Sequence, residues 1–260
     1  MRMKLARILL TLLLTLSVQV AVSADDTIPS TLRIGTSASY PPLTFKADGK
    51  LQGMEIDLAA AVGQALNVKT RLVELPWEEL IPALNAGKID VIMSGMSVTD
   101  ARSKQVLFTE PWMRIGQMAL IRSADLVQWA RPSALFSKGA RVGVKAGTTG
   151  ETFAKAELPD AVITSFATIE QGTDALGAGK IDIFIHDAPT IWRLTANAAT
   201  EKAGLMGLYR PLTEEYLAWA VRKQDTALAN ALNGVLDTLK KNGTLGRLMA
   251  KWIPVQVKVN

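Results

Sequence analysis

A seven-residue stretch of this chain recurs with one change. Leu84-Asn-Ala-Gly-Lys-Ile-Asp90 and Leu176-Gly-Ala-Gly-Lys-Ile-Asp182 agree at six of seven positions, 92 residues apart. Each copy stops a helical stretch on a glycine and opens an apolar strand. The same order of elements surrounds both. In the first half, Thr31–Thr36 reads as a strand and Met54–Leu66 as a helix ended by Asn67. Lys69–Leu75 alternates as a strand, Trp77–Ala86 is helical up to Gly87, and Ile89–Met93 is a continuous apolar run. Such a run suits a parallel strand buried on both faces. In the second half the series is strand Arg141–Val144, helix Thr149–Ala156, strand Ala161–Ser165, helix Thr168–Ala178 and buried strand Ile181–Ile185. Arg33-Ile-Gly35 parallels Arg141-Val-Gly143, 108 residues apart. The two offsets differ by 16 residues, about the size of a hairpin signalled by Asp48-Gly49 in the first half alone. The alternative to a true repeat is convergence, because helix–glycine–strand joints use few words. Both readings give two α/β units.

The first residues are of another kind. Arg2, Lys4 and Arg7 precede an apolar stretch that ends Ala21-Val-Ser-Ala24, followed by Asp25-Asp26. This is the form of a secretory signal peptide cleaved near Ala24. Ile8–Ala24 is short for a membrane span and contains Ser, Thr and Gln. Without Arg2, Lys4 and Arg7 the formal charge of +5 falls to +2. No basic stripe remains, so nucleic acid is not an expected partner. Cysteine is absent, which excludes disulfides, Cys metal sites and Cys nucleophiles. His186 is the single histidine, so a multi-His metal site is excluded too.

In open α/β sheets a ligand sits beyond the carboxyl ends of the strands. Four loops lie there: Thr36–Pro42, Ser94–Arg102, Lys145–Gly150 and His186-Asp187. Ser94-Gly95-Met96-Ser97 followed by Arg102 offers backbone groups, a hydroxyl and a guanidinium, which suits a carboxylate. The alternative is a helix capped by Thr99 or Asp100, with Arg102 solvated. Lys145-Ala-Gly-Thr148-Thr149-Gly150 is a glycine-rich turn into a helix, either an anion seat or a plain cap. Asp187 is a counter-charge for an amine or an N-cap helped by Pro189. Tyr40 and Trp77 are stacking walls or core. Around one cleft these residues describe a receptor for a zwitterion.

From Leu32 to Pro254 the chain resembles the polar-amino-acid group of bacterial extracytoplasmic solute-binding proteins. The resemblance rests on Gly35-x4-Tyr40-Pro-Pro, Gly53-Met-Glu-Ile-Asp57-Leu, Trp77-x2-Leu-Ile-Pro-Ala-Leu84, Ser94-Gly-Met-Ser-Val-Thr99-x2-Arg102, Val142-Gly-Val-Lys-x-Gly-Thr148, His186-Asp187-x-Pro and Gly243-Thr-Leu with Lys251-Trp252. It implies the two-lobed periplasmic-binding-protein fold of type II, two α/β lobes joined by two crossover hinge strands. The crossovers are expected near Leu120 and Pro211–Tyr216. Lobe 1 is then 25–120 plus 215–260, and lobe 2 is 121–214, inserted between them. The family's carboxylate ligands fall on Arg102, Ser97 and the backbone near Thr149. Its amino ligands fall on Asp187 and the Gly95 carbonyl, and its aromatic walls on Tyr40 and Trp77. Lys145 and His186-Asp187 look most like the glutamine-binding subgroup. Ser37 stands where glutamine and basic-amino-acid binders usually carry an acid, which disfavours a cationic ligand. The full expected set is Ser37, Tyr40, Trp77, Ser94, Gly95, Met96, Ser97, Arg102, Lys145, Thr148, Thr149, His186 and Asp187.

The resemblance implies an exported, periplasmic monomer without metal or cofactor, partnered by an amino acid and an inner-membrane ABC permease. Two alternatives remain. Exported cyclohexadienyl dehydratases share the fold and keep an Arg like Arg102, but their general-acid Glu is Thr190 here and an Asn of the turn is Gly150. The other is a ligand sensor for a separate signalling protein.

Overall fold

The computed structural model describes residues 28–253, apart from 198, 199, 201 and 209. The expected signal peptide and its cleavage point near Ala24 lie outside the described residues.

The repeated residues make the same contacts twice. Asp90 accepts hydrogen bonds from the backbone N–H and the guanidinium of Arg33, with Arg33 Nη2 at 2.5 Å. Asp182 does the same for Arg141, also with Nη2 at 2.5 Å. Each arginine donates a further bond to the carbonyl of the helix-stop glycine, Gly87 or Gly179. Each aspartate N–H donates to its arginine's carbonyl at 2.8 Å. Thus the joint pins the helix end and the following strand to the first strand of its unit. Gly35 and Gly143 complete the match, since a Cβ at either would lie 2.3 Å from Ile89 Cδ1 or Ile181 Cδ1.

Fifteen strands are described: β1 (Thr31–Thr36), β2 (Ser39–Tyr40), β3 (Thr44–Ala47), β4 (Lys50–Gln52), β5 (Lys69–Glu74), β6 (Val91–Ile92), β7 (Leu107–Phe108), β8 (Met113–Ile115), β9 (Gln117–Arg122), β10 (Arg141–Lys145), β11 (Val162–Phe166), β12 (Ile183–Asp187), β13 (Leu205–Leu208), β14 (Glu215–Leu217) and β15 (Ala220–Val221). One sheet has the order β5-β1-β6-β15-β7, the other β11-β10-β12-β9-β13. The first three strands of each are parallel and the fourth is antiparallel. The hairpin expected near Asp48-Gly49 is β3–β4.

Both sheets are covered on both faces, as their apolar strands require. Along β12, Ile183 and Ile185 enter one core with Val142 and Val144, while Phe184 enters the other with Leu120 and Ile191. In the first lobe, Leu32, Ile34 and Trp219 pack with Leu58, Leu232 and Leu236 on one face. Leu80, Leu84, Ile89 and Ile92 fill the other. Helices Met54–Leu66, Thr226–Lys241 and Thr244–Trp252 supply the larger of these layers. No helix among the described residues is long and apolar enough to cross a membrane.

The chain passes between sheets twice, along β8 and β14, which pair antiparallel. Gly116 lets them lie close, since a Cβ there would sit 2.2 Å from the Thr213 carbonyl oxygen. Leu120, expected at the first crossover, is instead inside β9, opposite Phe184 and Gly207 of the second sheet. The change of sheet therefore falls at Ile115–Gly116. Other spans differ as well, the strand expected at Ile89–Met93 being only Val91–Ile92. The strand expected at Ile181–Ile185 runs Ile183–Asp187, because Asp182 is spent on Arg141 and β9 pairs with it as far as Asp187. The helix expected over Trp77–Ala86 is a single turn, Trp77–Glu79, followed by Leu80–Asn85.

Candidate functional site

The loops at the strand ends converge on one cavity between the lobes. With the lobes drawn together it keeps a free volume of about 20 Å³, and it is lined by Tyr40, Trp77, Gly95, Ser97, Arg102, Lys145, Thr148, Thr149, His186 and Asp187. Ten of the thirteen expected residues are thereby brought together. The other three are placed elsewhere. Ser94 is buried, and its Oγ accepts from the Ser37 N–H and donates to Ser37 Oγ, so it shapes the loop from beneath. Met96 points into the core with Leu80 and Leu84. Ser37 lines an adjoining opening that shares Trp77 and Lys145 with the cavity.

Arg102 owes its position to a short helix, Asp100–Ser103, whose N-cap is Thr99. The cap and an arginine that lines the cavity, alternatives in sequence, coexist. The guanidinium donates to the Ser97 carbonyl at 2.9 Å and lies 5.2 Å from the Trp77 ring centroid. Burial pulls its pKa below the ordinary value, against the pull of Asp187 and Glu215. Gly95 has φ +66, and a Cβ there would meet the Tyr40 ring at 2.4 Å, so this turn requires glycine.

Asp187 ends β12 and begins the helix Ala188–Thr195, yet its side chain makes no cap bond. It accepts instead from the Tyr40 hydroxyl and, at 2.5 Å, from Gln117 Nε2. Burial pushes its carboxyl upward, opposed by these two bonds and by Arg102 and Lys145. Tyr40 is itself pushed well above the phenolic range, by burial and by Asp187.

His186 is 3% exposed, and its Nδ1 accepts from the Asp187 N–H at 2.8 Å. The proton of the neutral ring is therefore on Nε2, which has no protein partner among the described residues. Burial, with Lys145 nearby, lowers its pKa to about 3. Lys145 is 5% exposed and donates to the hydroxyl and carbonyl of Ser39 across the cleft. Burial lowers its pKa. Thr148 caps the helix Thr149–Glu157, and Glu151 accepts from the Gly147 N–H at 2.7 Å. This acid already takes part of the anion seat expected at that turn.

The lobes meet over the cavity. Trp77 Nε1 donates to the Gly147 carbonyl at 2.9 Å, and Thr190 Oγ1 to the Pro41 carbonyl at 3.1 Å. Arg193 lies over the Phe45 ring at 4.7 Å.

Three polar residues escaped the sequence reading. Glu55, fully buried, accepts from the Gly95 N–H, and burial raises its carboxyl to about 8. Gln117 and Glu215 come from the crossovers. Gln117 Nε2 donates to Asp187, to Thr149 Oγ1 and to Glu215 Oε1. The signal was present, since Gln117 heads the apolar run Met118–Ile121 and buried amides need partners. Among the described residues no three His, Cys, Asp or Glu side chains converge as a metal site.

The family model for bacterial extracellular solute-binding proteins, family 3, matches residues 32–255. The histidine-binding periplasmic protein of Salmonella typhimurium strain LT2 is 31% identical over 264 residues, covering 96% of this chain and 98% of its own. Among solved structures, AncCDT-1, an ancestral amino acid-binding protein and precursor of cyclohexadienyl dehydratase, matches with a TM-score of 0.77 and 36% identity over 86% of this chain and 95% of its own. An ancestral arginine-binding protein bound to glutamine matches with a TM-score of 0.78 and 32% identity over 88% of this chain and all of its own (100%).

Proposed function

The chain belongs to family 3 of the bacterial extracellular solute-binding proteins, and on that premise we propose that its cavity receives a polar, uncharged amino acid. The observation that carries this is the charge inventory of the lining. Two cations, Arg102 and Lys145, face one carboxylate, Asp187. Arg102 takes the α-carboxylate of the ligand in bidentate fashion. Asp187 takes the α-ammonium. Lys145 is then left as a buried donor with a positive charge. A cationic ligand side chain would share that enclosed space with it at a cost, whereas a carbonyl or hydroxyl accepts from it. The Nε2–H of His186 is a second donor at the same wall. Arginine and lysine, whose side chains stay cationic, are therefore disfavoured here.

The protein works by capture without chemistry. The ligand binds, the lobes close, and the closed form is recognised by an inner-membrane ABC permease. The periplasm is the compartment, with lobes 25–120 plus 215–260 and 121–214 adjusted to the crossover at Ile115–Gly116. The dehydratase reading lacks its acid. Thr190 stands there, committed to the Pro41 carbonyl, and a hydroxyl does not donate a proton as a carboxylic acid does.

The test is a thermal-shift screen of protein stripped by denaturation and refolding, with the twenty amino acids, prephenate and arogenate. A ligand at about 100 times its Kd adds about 2.7 kcal/mol, enough for a shift of several degrees. The expected result is a shift with a neutral polar amino acid and no consumption of prephenate. A shift confined to lysine or arginine would overturn the selectivity, and turnover of prephenate would overturn the function.

A further inference from the structure

Glu215 lies behind the cavity, on β14, and three donors converge on its two oxygens. Gln117 Nε2 and Thr213 Oγ1 reach Oε1 at 2.9 and 2.8 Å, and Ser97 Oγ reaches Oε2 at 2.9 Å. A carboxylate accepts only, so Ser97 must spend its single proton on Glu215. What the Ser97 hydroxyl shows to the cavity is then its lone pairs. Ser97 lines that cavity and is 2% exposed. An oxygen without a proton to give repels a ligand carboxylate or carbonyl and accepts from an ammonium, so the carboxylate role expected for Ser97 does not fall to its hydroxyl.

We infer that Glu215 is a positioning residue that turns Ser97 into an acceptor, and thereby makes the cavity select ligands bearing an α-ammonium group over their des-amino counterparts. The inference rests on the proposed binding of amino acids in this cavity. Glu215 acts through Ser97 on one side. On the other it acts through Gln117, whose amide also holds the Asp187 carboxylate. It thus orients two acceptors, one on each lobe, toward one pole of the ligand. Gly150 leaves the space this wiring needs, because a Cβ there would lie 2.7 Å from Gln117 Oε1.

Glu215→Gln reverses the polarity. The new amide keeps its oxygen toward Gln117 and Thr213, which supply two donors, and so turns its NH2 toward Ser97. Ser97 Oγ then accepts from that NH2 and points its own proton into the cavity.

The experiment titrates stripped wild type, Glu215→Gln, Ser97→Ala and the double variant with each of the twenty amino acids. Glutaramate, the des-amino analogue of glutamine, is titrated in parallel. The expected result is that Glu215→Gln loses at least about tenfold in affinity for the amino acid that the wild type binds best. Its affinity for glutaramate is expected to hold or rise. Ser97→Ala should lose the same preference, and the double variant should lose no more than either single change, because the two act as one unit. Equal losses for amino acid and des-amino analogue, or additive losses in the double variant, would overturn the inference. A wild type that binds none of the twenty amino acids would overturn the reading beneath it and the inference with it. The melting temperature of each unliganded variant separates misfolding from lost selectivity.

Discussion

Asp187 and Arg102 are charges that the fold encloses before any ligand arrives. Asp187 is 6% exposed and satisfied by Tyr40 and Gln117, while Arg102 leans on Trp77 and the Ser97 carbonyl. In the proposed binding mode, truncating either leaves the ligand's opposite charge buried and unpaired. Arg102→Ala and Asp187→Ala should each weaken amino acid binding by about 2–5 kcal/mol, read by calorimetry. Two neighbours set the pH response. His186 has its pKa lowered from 6.5 to about 3 by burial. The unfolded chain takes up that proton first, so this part of the stability is whole above pH 6.5 and drains as pH falls toward 3. Glu55 has its carboxyl raised from 4.5 to about 8 by burial, against the Gly95 N–H. The folded state keeps a proton that the unfolded chain releases, so stability falls as pH rises from 4.5 to 8. Denaturant unfolding of Glu55→Gln should lack that decline, which amounts to at most about 1.4 kcal/mol per pH unit. An unchanged pH profile in the variant would contradict it. Residue types and loop position made Tyr40, Trp77, Arg102, Lys145 and Asp187 legible in sequence. Ser94 and Met96 were not separable from Ser97, because alternation within a turn does not say which side chain faces the cleft.

The joint of helix, glycine and strand is the best-written element of the chain. Its words repeat because its geometry repeats, with Asp90 and Asp182 closing the same ring of bonds on Arg33 and Arg141. Asp90 is 4% exposed, so Asp90→Asn should cost about 1.5–3 kcal/mol of stability by denaturant unfolding. The matching change Asp182→Asn should cost less, since Arg141 is more exposed than Arg33. Equal losses would contradict that ranking. The crossovers were harder to read. β8 and β14 are three residues each, too short for a periodic pattern, and the following strand β9 is apolar through most of its length. That continuity hid the change of sheet at Gly116 and, with it, the roles of Gln117 and Glu215. Pairing partners, invisible in a single sequence, decide where such a strand belongs.

The two lobes are held together over the cavity by contacts from several distant segments. Tyr40 meets Asp187, Ser39 meets Lys145, Trp77 meets Gly147 and Pro41 meets Thr190. Three of these four pairs include at least one residue that also lines the cavity, so binding and closure draw on shared groups. Tyr40→Phe removes one cross-lobe bond, and the stripped variant should show a larger radius of gyration by solution scattering than the stripped wild type. Saturating ligand should contract both.

The most direct measurement is calorimetric titration of the stripped, refolded protein with glutamine and with arginine. The charge inventory of the cavity lining, with Lys145 the cation left over once Arg102 and Asp187 hold the zwitterion, predicts that glutamine binds at least about tenfold more tightly. Arginine binding as tightly as glutamine, or more so, would contradict it.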